Sequence, residues 1–192
     1  MAALAYFIES NWVETEGSPK GLSLLKSESN PRISLNIMMI EKDVSLPDFL
    51  VFKGDLSVST KSHFPLNNVP LPIMSFAMFE VLQKVSPFKC HKIPVHLVDQ
   101  HSGKKTTDRY LTFKLKEYTE AMDLEASVYE KDKLYGKEVG LINKLCFNNQ
   151  ISLPSVFRIR QTPFIYMSSS GKEALDNKEI MGIKYTAILG GE

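Results

Sequence analysis

The chain has 192 residues, 43% of them apolar and 23% charged, with 23 basic and 22 acidic side chains giving a formal net charge of +1. That is enough for one ordinary domain with a sizeable core, and the composition excludes a disordered or fibrous protein. No run of like charge marks a nucleic-acid arm or an acidic tail: residues 1–60 hold 5 basic and 8 acidic side chains, 61–120 hold 9 and 5, and 121–192 hold 9 of each.

A first strand is predicted at residues 6–8. Residues 14–31, rich in Glu, Ser, Gly, Pro and Asn around a Glu-Gly-Ser-Pro centre, read as a surface loop. Alternation of Ile33, Leu35, Ile37 and Met39 predicts a strand over 32–40, and 41–47 reads as a turn. Apolar runs at 49–52 and 56–58 flank Gly54-Asp55, a hairpin or bulge signal. Prolines punctuate 67–72. Behind them Ile73, Phe76, Ala77, Val81 and Val85 fall at helical spacing, widened by Met74, Met78 and Leu82, so 73–85 reads as a helix pressed between other elements, ended by Pro87.

The second half reads largely as sheet. Strands are predicted at 93–98 and 110–116, with Leu111, Phe113 and Leu115 inward, joined by a polar tip at His101-Ser102-Gly103-Lys104-Lys105. Further strands are predicted at 122–129, 139–147, 156–160 and 164–167. Ser170 with Glu173 has the spacing of a capping box for a short helix stopped by Asn177. A last strand follows Gly182, with Ile183, Tyr185 and Ala187 on one face. There is no regular β-α-β alternation, so the fold class is α+β: a sheet-rich domain, mixed or antiparallel, with about two main helices. It spans 1–192, either undivided or as two lobes, 1–88 and 89–192, sharing a core.

Two cysteines, Cys90 and Cys146, make no disulfide framework and read as unpaired core thiols in a reducing compartment. The opening MAALAYFIES has no basic residue ahead of its apolar run and Glu9 interrupts it, so it is a poor signal peptide and too short to cross a bilayer. A cytoplasmic protein without a membrane segment is expected.

Few residues offer chemistry. His91, His96 and His101 are spaced by five, so neighbours on a strand point to opposite faces and do not converge as metal ligands must. No metal or cofactor is expected. Asp123 and Glu125, with Ser127, fall on one face of a predicted strand. They suit an acid/base pair, a binding surface or a solvated face. Arg158 and Arg160 share a face of the FRIR segment and suit internal ion pairs, with Asp123 or Glu125 as partners, or an anion site. Lys84, Lys89, Lys92, Lys104, Lys105 and Arg109, interleaved with Phe88, Tyr110 and Phe113, form a basic cluster but match no nucleic-acid motif, and nucleic acid is not an expected partner.

The order LP-x-x-FRI, a short apolar strand, SSSGKEAL and IMGIKYTAI resembles the end of a family of bacterial immunity proteins. That family accompanies polymorphic toxins, was long known only as a domain of unknown function, and has a myxococcal protein as its type member. PDFL, the segment Gly54-Asp55-Leu56-Ser57-Val58-Ser59, IPVHLVDQ, DRYLTFKL and AMDLEASVYEKD occur upstream in the family's order, so the resemblance covers roughly 47–188. It implies a non-enzymatic immunity protein that binds and neutralises a cognate toxin domain encoded by a neighbouring gene. Toxins paired with the family are often nucleases, so a nuclease partner is implied. Inhibitors of nucleases are often acidic, whereas this chain is near neutral. The partner-binding acidity is then local, at Glu9, Glu14 and Glu16 or at Asp123 and Glu125, or the toxin is not a nuclease. The alternative from the residues themselves is a small ligand-binding protein or enzyme using Asp123, Glu125 and Arg158.

Overall fold

The computed structural model describes residues 3–10, 21–25, 46–59, 61–67, 71–131 and 139–191. The predicted strand at 32–40, most of the 14–31 loop and most of the 41–47 turn lie outside them. The architecture is α+β, with mixed and antiparallel sheets and two helices of eight residues or more among the described residues.

One sheet joins the two ends of the chain. Strand β1 (Ala3–Ser10) lies between β11 (Ile183–Leu189) and β10 (Tyr166–Ser168), with β9 (Val156–Phe157) at the edge. All three pairings are antiparallel, with Tyr6 opposite both Ala187 and Met167. The second sheet has the order β2 (Ser23–Leu24), β3 (Leu50–Gly54), β5 (Cys90–Asp99), β6 (Lys105–Leu115), β4 (Met74–Ser75). Its β3–β5 pair is parallel and the rest are antiparallel. A two-stranded ribbon, β7 (Val128–Tyr129) and β8 (Ile142–Lys144), lies apart.

The helices are α1 (Leu56–Ser59), α2 (Phe76–Val85) and α3 (Ser169–Asp176). The spacing predicted α2 from residue 73, but Met74 and Ser75 pair with Leu111 and Tyr110 of β6. Ser75 then caps the helix, its Oγ accepting from the Met78 N–H at 3.1 Å. For α3 the cap is Ser168, which accepts from the Gly171 N–H at 3.2 Å, and not Ser170. Ser168 is the last residue with extended backbone, at φ −70° and ψ 161°, and that conformation, more than the Ser-x-x-Glu spacing, selects it. Asn177 closes α3 as predicted.

Alternation along the strands gives each large sheet two packed faces. Leu50, Phe52, Ile93, Val95, Leu97 and Tyr110 form one core with Leu22 and Leu71. From the opposite face Leu111, Phe113 and Leu115 join Met78, Phe79 and Leu82 of α2, Leu175 of α3, and Ile8, Val156, Met167 and Ile183 of the first sheet. The far face of that first sheet carries a third core around Ala5, Phe147, Phe157 and Tyr166. The helical pair therefore packs in the seam between the sheets. Buried Ser155 locks that seam: its Oγ lies 2.8 Å from the Leu82 carbonyl, which also accepts from the Ser86 N–H, and 2.7 Å from the Ser86 carbonyl just past the C-terminal end of α2. At the start of β11, Gly182 has φ +93°, and a Cβ there would lie 2.0 Å from Ser62 Oγ, so only glycine fits.

Three other expectations are corrected. Of the predicted strands at 122–129 and 139–147 only β7 and β8 are extended, with isolated bridges at Met122 and Phe147. The described part of the 14–31 loop contributes the edge strand β2 and fully buried Leu22. Cys146 is buried as predicted, but Cys90 is only half-buried, and neither is disulfide-bonded. No described helix is long and apolar enough to cross a membrane.

Candidate functional site

Asp123 and Glu125 do not share a strand face. Asp123 Oδ1 accepts from the backbone N–H of Glu125 at 3.0 Å and of Ala126 at 2.9 Å, while its carbonyl accepts from Ser127 N–H at 3.0 Å. The polar alternation of Asp-Leu-Glu-Ala-Ser fits a strand equally well, but an aspartate that can capture the next turn's donors makes a turn instead. Ser127 is buried behind it and clamps Cys146, accepting from its N–H at 2.9 Å and lying 3.2 Å from its carbonyl. The turn borders an open cavity of about 400 Å³ with Lys144, Leu189 and Gly191. A Cβ at Gly191 would lie 2.1 Å from Asp123 Oδ2, so the chain's end passes close over the carboxylate.

Arg158 does not line that cavity, and it pairs with neither Asp123 nor Glu125. Its guanidinium lies 3.9 Å from the centroid of the Tyr118 ring, and its Nε is buried without a hydrogen-bond partner among the described residues. Arg160 lies 4.9 Å from the same ring, and its Nε donates to Glu120 at 3.0 Å. One tyrosine therefore holds both arginines, by the attraction of a cation to a ring face. Tyr118, which the sequence reading passed over, is the organising residue. The expected ion pair exists for Arg160 alone, with a different and exposed carboxylate.

Glu9 lies opposite Lys184 across the β1–β11 pair, at 3.5 Å, with both side chains largely in water. Glu14 and Glu16 lie outside the described residues. His96 stacks on Phe49 with ring centroids 4.6 Å apart, His91 is exposed, and His101 lies 3.7 Å from Asp55. Among the described residues no three His, Cys, Asp or Glu side chains converge on a point that could hold a metal.

Two polar clusters escaped the sequence reading. Asp99 Oδ1 accepts from the Ser102 N–H at 2.7 Å, the Ser102 hydroxyl at 2.8 Å and the His101 N–H at 3.1 Å, and its Oδ2 accepts from the Leu56 N–H at 3.1 Å. These donors, the Ser102 and Leu56 amides foremost, hold its carboxyl well below the usual carboxylate range. Asp55 is lowered as well, chiefly by the Ser57 hydroxyl. The pair fastens α1 to the β5–β6 turn, and the Asp-x-Ser spacing at 55–57 was its only signal. At the other end of the sheet His63 Nδ1 lies 2.7 Å from Ser75 Oγ, the α2 cap. Partial burial, helped by the charge of Arg109, pushes the His63 pKa down.

The basic cluster read from sequence divides. Lys84, Lys89 and Lys92 share a groove with Lys116, whereas Lys104 and Lys105 lie at the opposite end of the β5–β6 hairpin. No protein-family model matches the chain, and no curated protein matches it.

Proposed function

We propose that the chain is a bacterial immunity protein, acting in the cytoplasm, that binds a cognate toxin domain from a neighbouring gene and neutralises it by stoichiometric protein–protein inhibition. The observation that carries this reading is the motif order over 47–188. Four of its segments fall on regular elements: IPVHLVDQ covers the end of β5, DRYLTFKL lies in β6, SSSGKEAL caps and forms most of α3, and IMGIKYTAI runs into β11. The Asp-Leu-Glu-x-Ser segment is a clamped turn whose Asp123 Oδ1 is already occupied by two backbone donors, which favours a scaffold role over an acid/base one. The rival trio of Asp123, Glu125 and Arg158 is divided between a cavity and the face of Tyr118, which weighs against a shared ligand pocket.

The test is co-expression with the adjacent gene. The neighbour's product alone should arrest growth, and this chain should restore it and co-purify with the product in a fixed ratio. A harmless neighbour, or arrest that this chain does not relieve, overturns the reading.

A further inference from the structure

We infer that the groove between α2 and the adjoining ends of β5 and β6 receives an acidic segment of the partner protein, carboxylates flanking an apolar side chain. The inference rests on the immunity reading for the partner's identity. The groove has a volume of about 680 Å³. Its rim carries Lys84 from α2, Lys89 and Lys92 from β5 and its approach, and Lys116 after β6, against one carboxylate, Glu80. Lys89 is tied to Glu117 at 2.8 Å, in water. Lys84, Lys92 and Lys116 have no carboxylate partner among the described residues and are exposed. Three ammonium groups without a carboxylate partner among the described residues, one of them (Lys92) over the Phe79 ring, raise the potential of one concavity and favour an anionic occupant.

The floor decides between occupants. Phe79 and Phe88 line it, packed with Phe113 at ring-centroid distances of 5.5 to 6.0 Å, and Lys92 Nζ lies over the Phe79 ring, 4.8 Å from its centroid. Phe79 is 2% exposed and Phe88 8%, so neither offers a free face on which a base could stack, as single-stranded nucleic acid requires. The rim cations are lysines, point charges without the forked geometry that reads phosphate in two places at once. The half-buried Phe76 and Cys90 supply the accessible apolar part of the lining, and ringed by point cations it matches a Leu or Phe side chain between Asp or Glu residues. Gln83 Nε2 donates to the Phe88 carbonyl at 2.9 Å and fixes the rim, so the groove is formed before any partner arrives. The charge is opposite to that of an inhibitor filling a basic nuclease cleft, so the inhibited surface is acidic.

Two measurements test this. In the first, a fluorescein-labelled peptide alternating glutamate pairs with leucine–phenylalanine pairs is titrated with the full chain by anisotropy, beside an oligothymidine of equal length and a peptide with lysine for glutamate. The acidic peptide should bind best and weaken with added salt, and by about tenfold or more in the K84E/K92E/K116E variant, while K104E/K105E at the far hairpin tip leaves binding unchanged. Thermal melts establish that each variant is folded. Tighter binding of the oligothymidine, no binding of the acidic peptide, or equal binding by the triple variant overturns the inference. In the second, the triple variant is co-expressed with the neighbouring toxin. If the unsubstituted chain protects and the folded triple variant does not, the inference holds. If both protect, the groove is not the interface while the immunity reading stands. If the unsubstituted chain fails to protect, that reading falls and the peptide titration alone decides the groove.

Discussion

The Asp123 turn and the α2 groove are both charged concavities, and they use their charges in opposite ways. At the turn, one oxygen of Asp123 is engaged by two backbone amides and the other lies against the chain at Gly191. In the groove, Lys84 and Lys116 face water with no partner carboxylate among the described residues, and Lys92 rests over the Phe79 ring. A side chain engaged by the backbone stabilises the fold and has little left to offer a partner, whereas an unengaged one costs the fold nothing to lose and is free to bind. The residue types alone point the other way, because the acidic cluster has the look of a site and the lysines that of a solvated surface.

The contrast is tested first where the commitment is deepest. Ser127→Ala removes the side chain that accepts from the Cys146 amide and leaves that buried N–H without a partner among the described residues, so unfolding free energy should fall by about 1–3 kcal/mol. Urea melts at neutral pH measure it. A loss indistinguishable from zero would mean the turn is not a structural clamp, and the comparison would fail on that side. Asp123→Ala should cost less, about 1 kcal/mol, because the amides it frees at Glu125 and Ala126 are partly open to water. Asp123→Asn keeps an acceptor oxygen at the same place and should recover most of that loss. An Asn variant as unstable as the Ala variant would show that charge, and not acceptor geometry, holds the turn.

How much of this was legible follows from the range over which each feature is encoded. The β5–β6 hairpin was readable because period-two alternation and a Gly-containing polar tip are local, and Gly103 does take a positive φ of 69° there. Helix α2 was readable from its stripe, although its start was set by sheet pairing of Met74, which no window of neighbouring residues reports. The Asp123 segment was misread because alternation cannot tell a strand from a turn when its polar residues can bond their own backbone. The groove was half legible: Lys84, Lys89 and Lys92 are near one another in sequence, but Lys116 reaches them only because Cys90 pairs with Leu115. The Tyr118 pairing with Arg158 and Arg160 spans some forty residues, and nothing local encodes it.

A titratable group sits at the N-terminal end of the groove's helix. Burial next to Ser75, which caps the helix that forms one wall of the groove, lowers the His63 pKa, and the charge of Arg109 adds to it. The folded pKa of His63 is lowered from 6.5, so in the window just below 6.5 the unfolded chain binds the proton more readily than the folded one. Stability is therefore full above that value and declines as the pH falls through the lowered pKa. His63→Gln, which keeps a hydrogen-bonding group, should flatten the decline over this window, leaving the later acid loss from Asp55 and Asp99 intact. That later loss begins below the ordinary carboxylate value of 3.8, because both carboxyls are lowered in the folded state. An unchanged slope between pH 7 and 5 in the Gln variant would show that His63 is not the group responsible for the decline.

The smallest effect is expected where the comparison makes its strongest claim. Lys84→Gln with Lys116→Gln removes two exposed ammonium groups that pair with no described carboxylate, so stability at ordinary salt should stay within about 0.5 kcal/mol of the parent. Lys92 is left in place because its ammonium over Phe79 contributes an attraction of its own, on the order of 0.5–1 kcal/mol at an exposed site. Like charges around one groove repel, and at low ionic strength the screening length is roughly 30 Å, longer than the groove, so there the double variant should be slightly more stable than the parent. At 1 M salt the length falls to about 3 Å and the two should melt together. A double variant clearly less stable than the parent at every salt concentration would mean that the lysines are engaged in the fold after all, and that the groove's charge is structural in the same sense as that of the Asp123 turn.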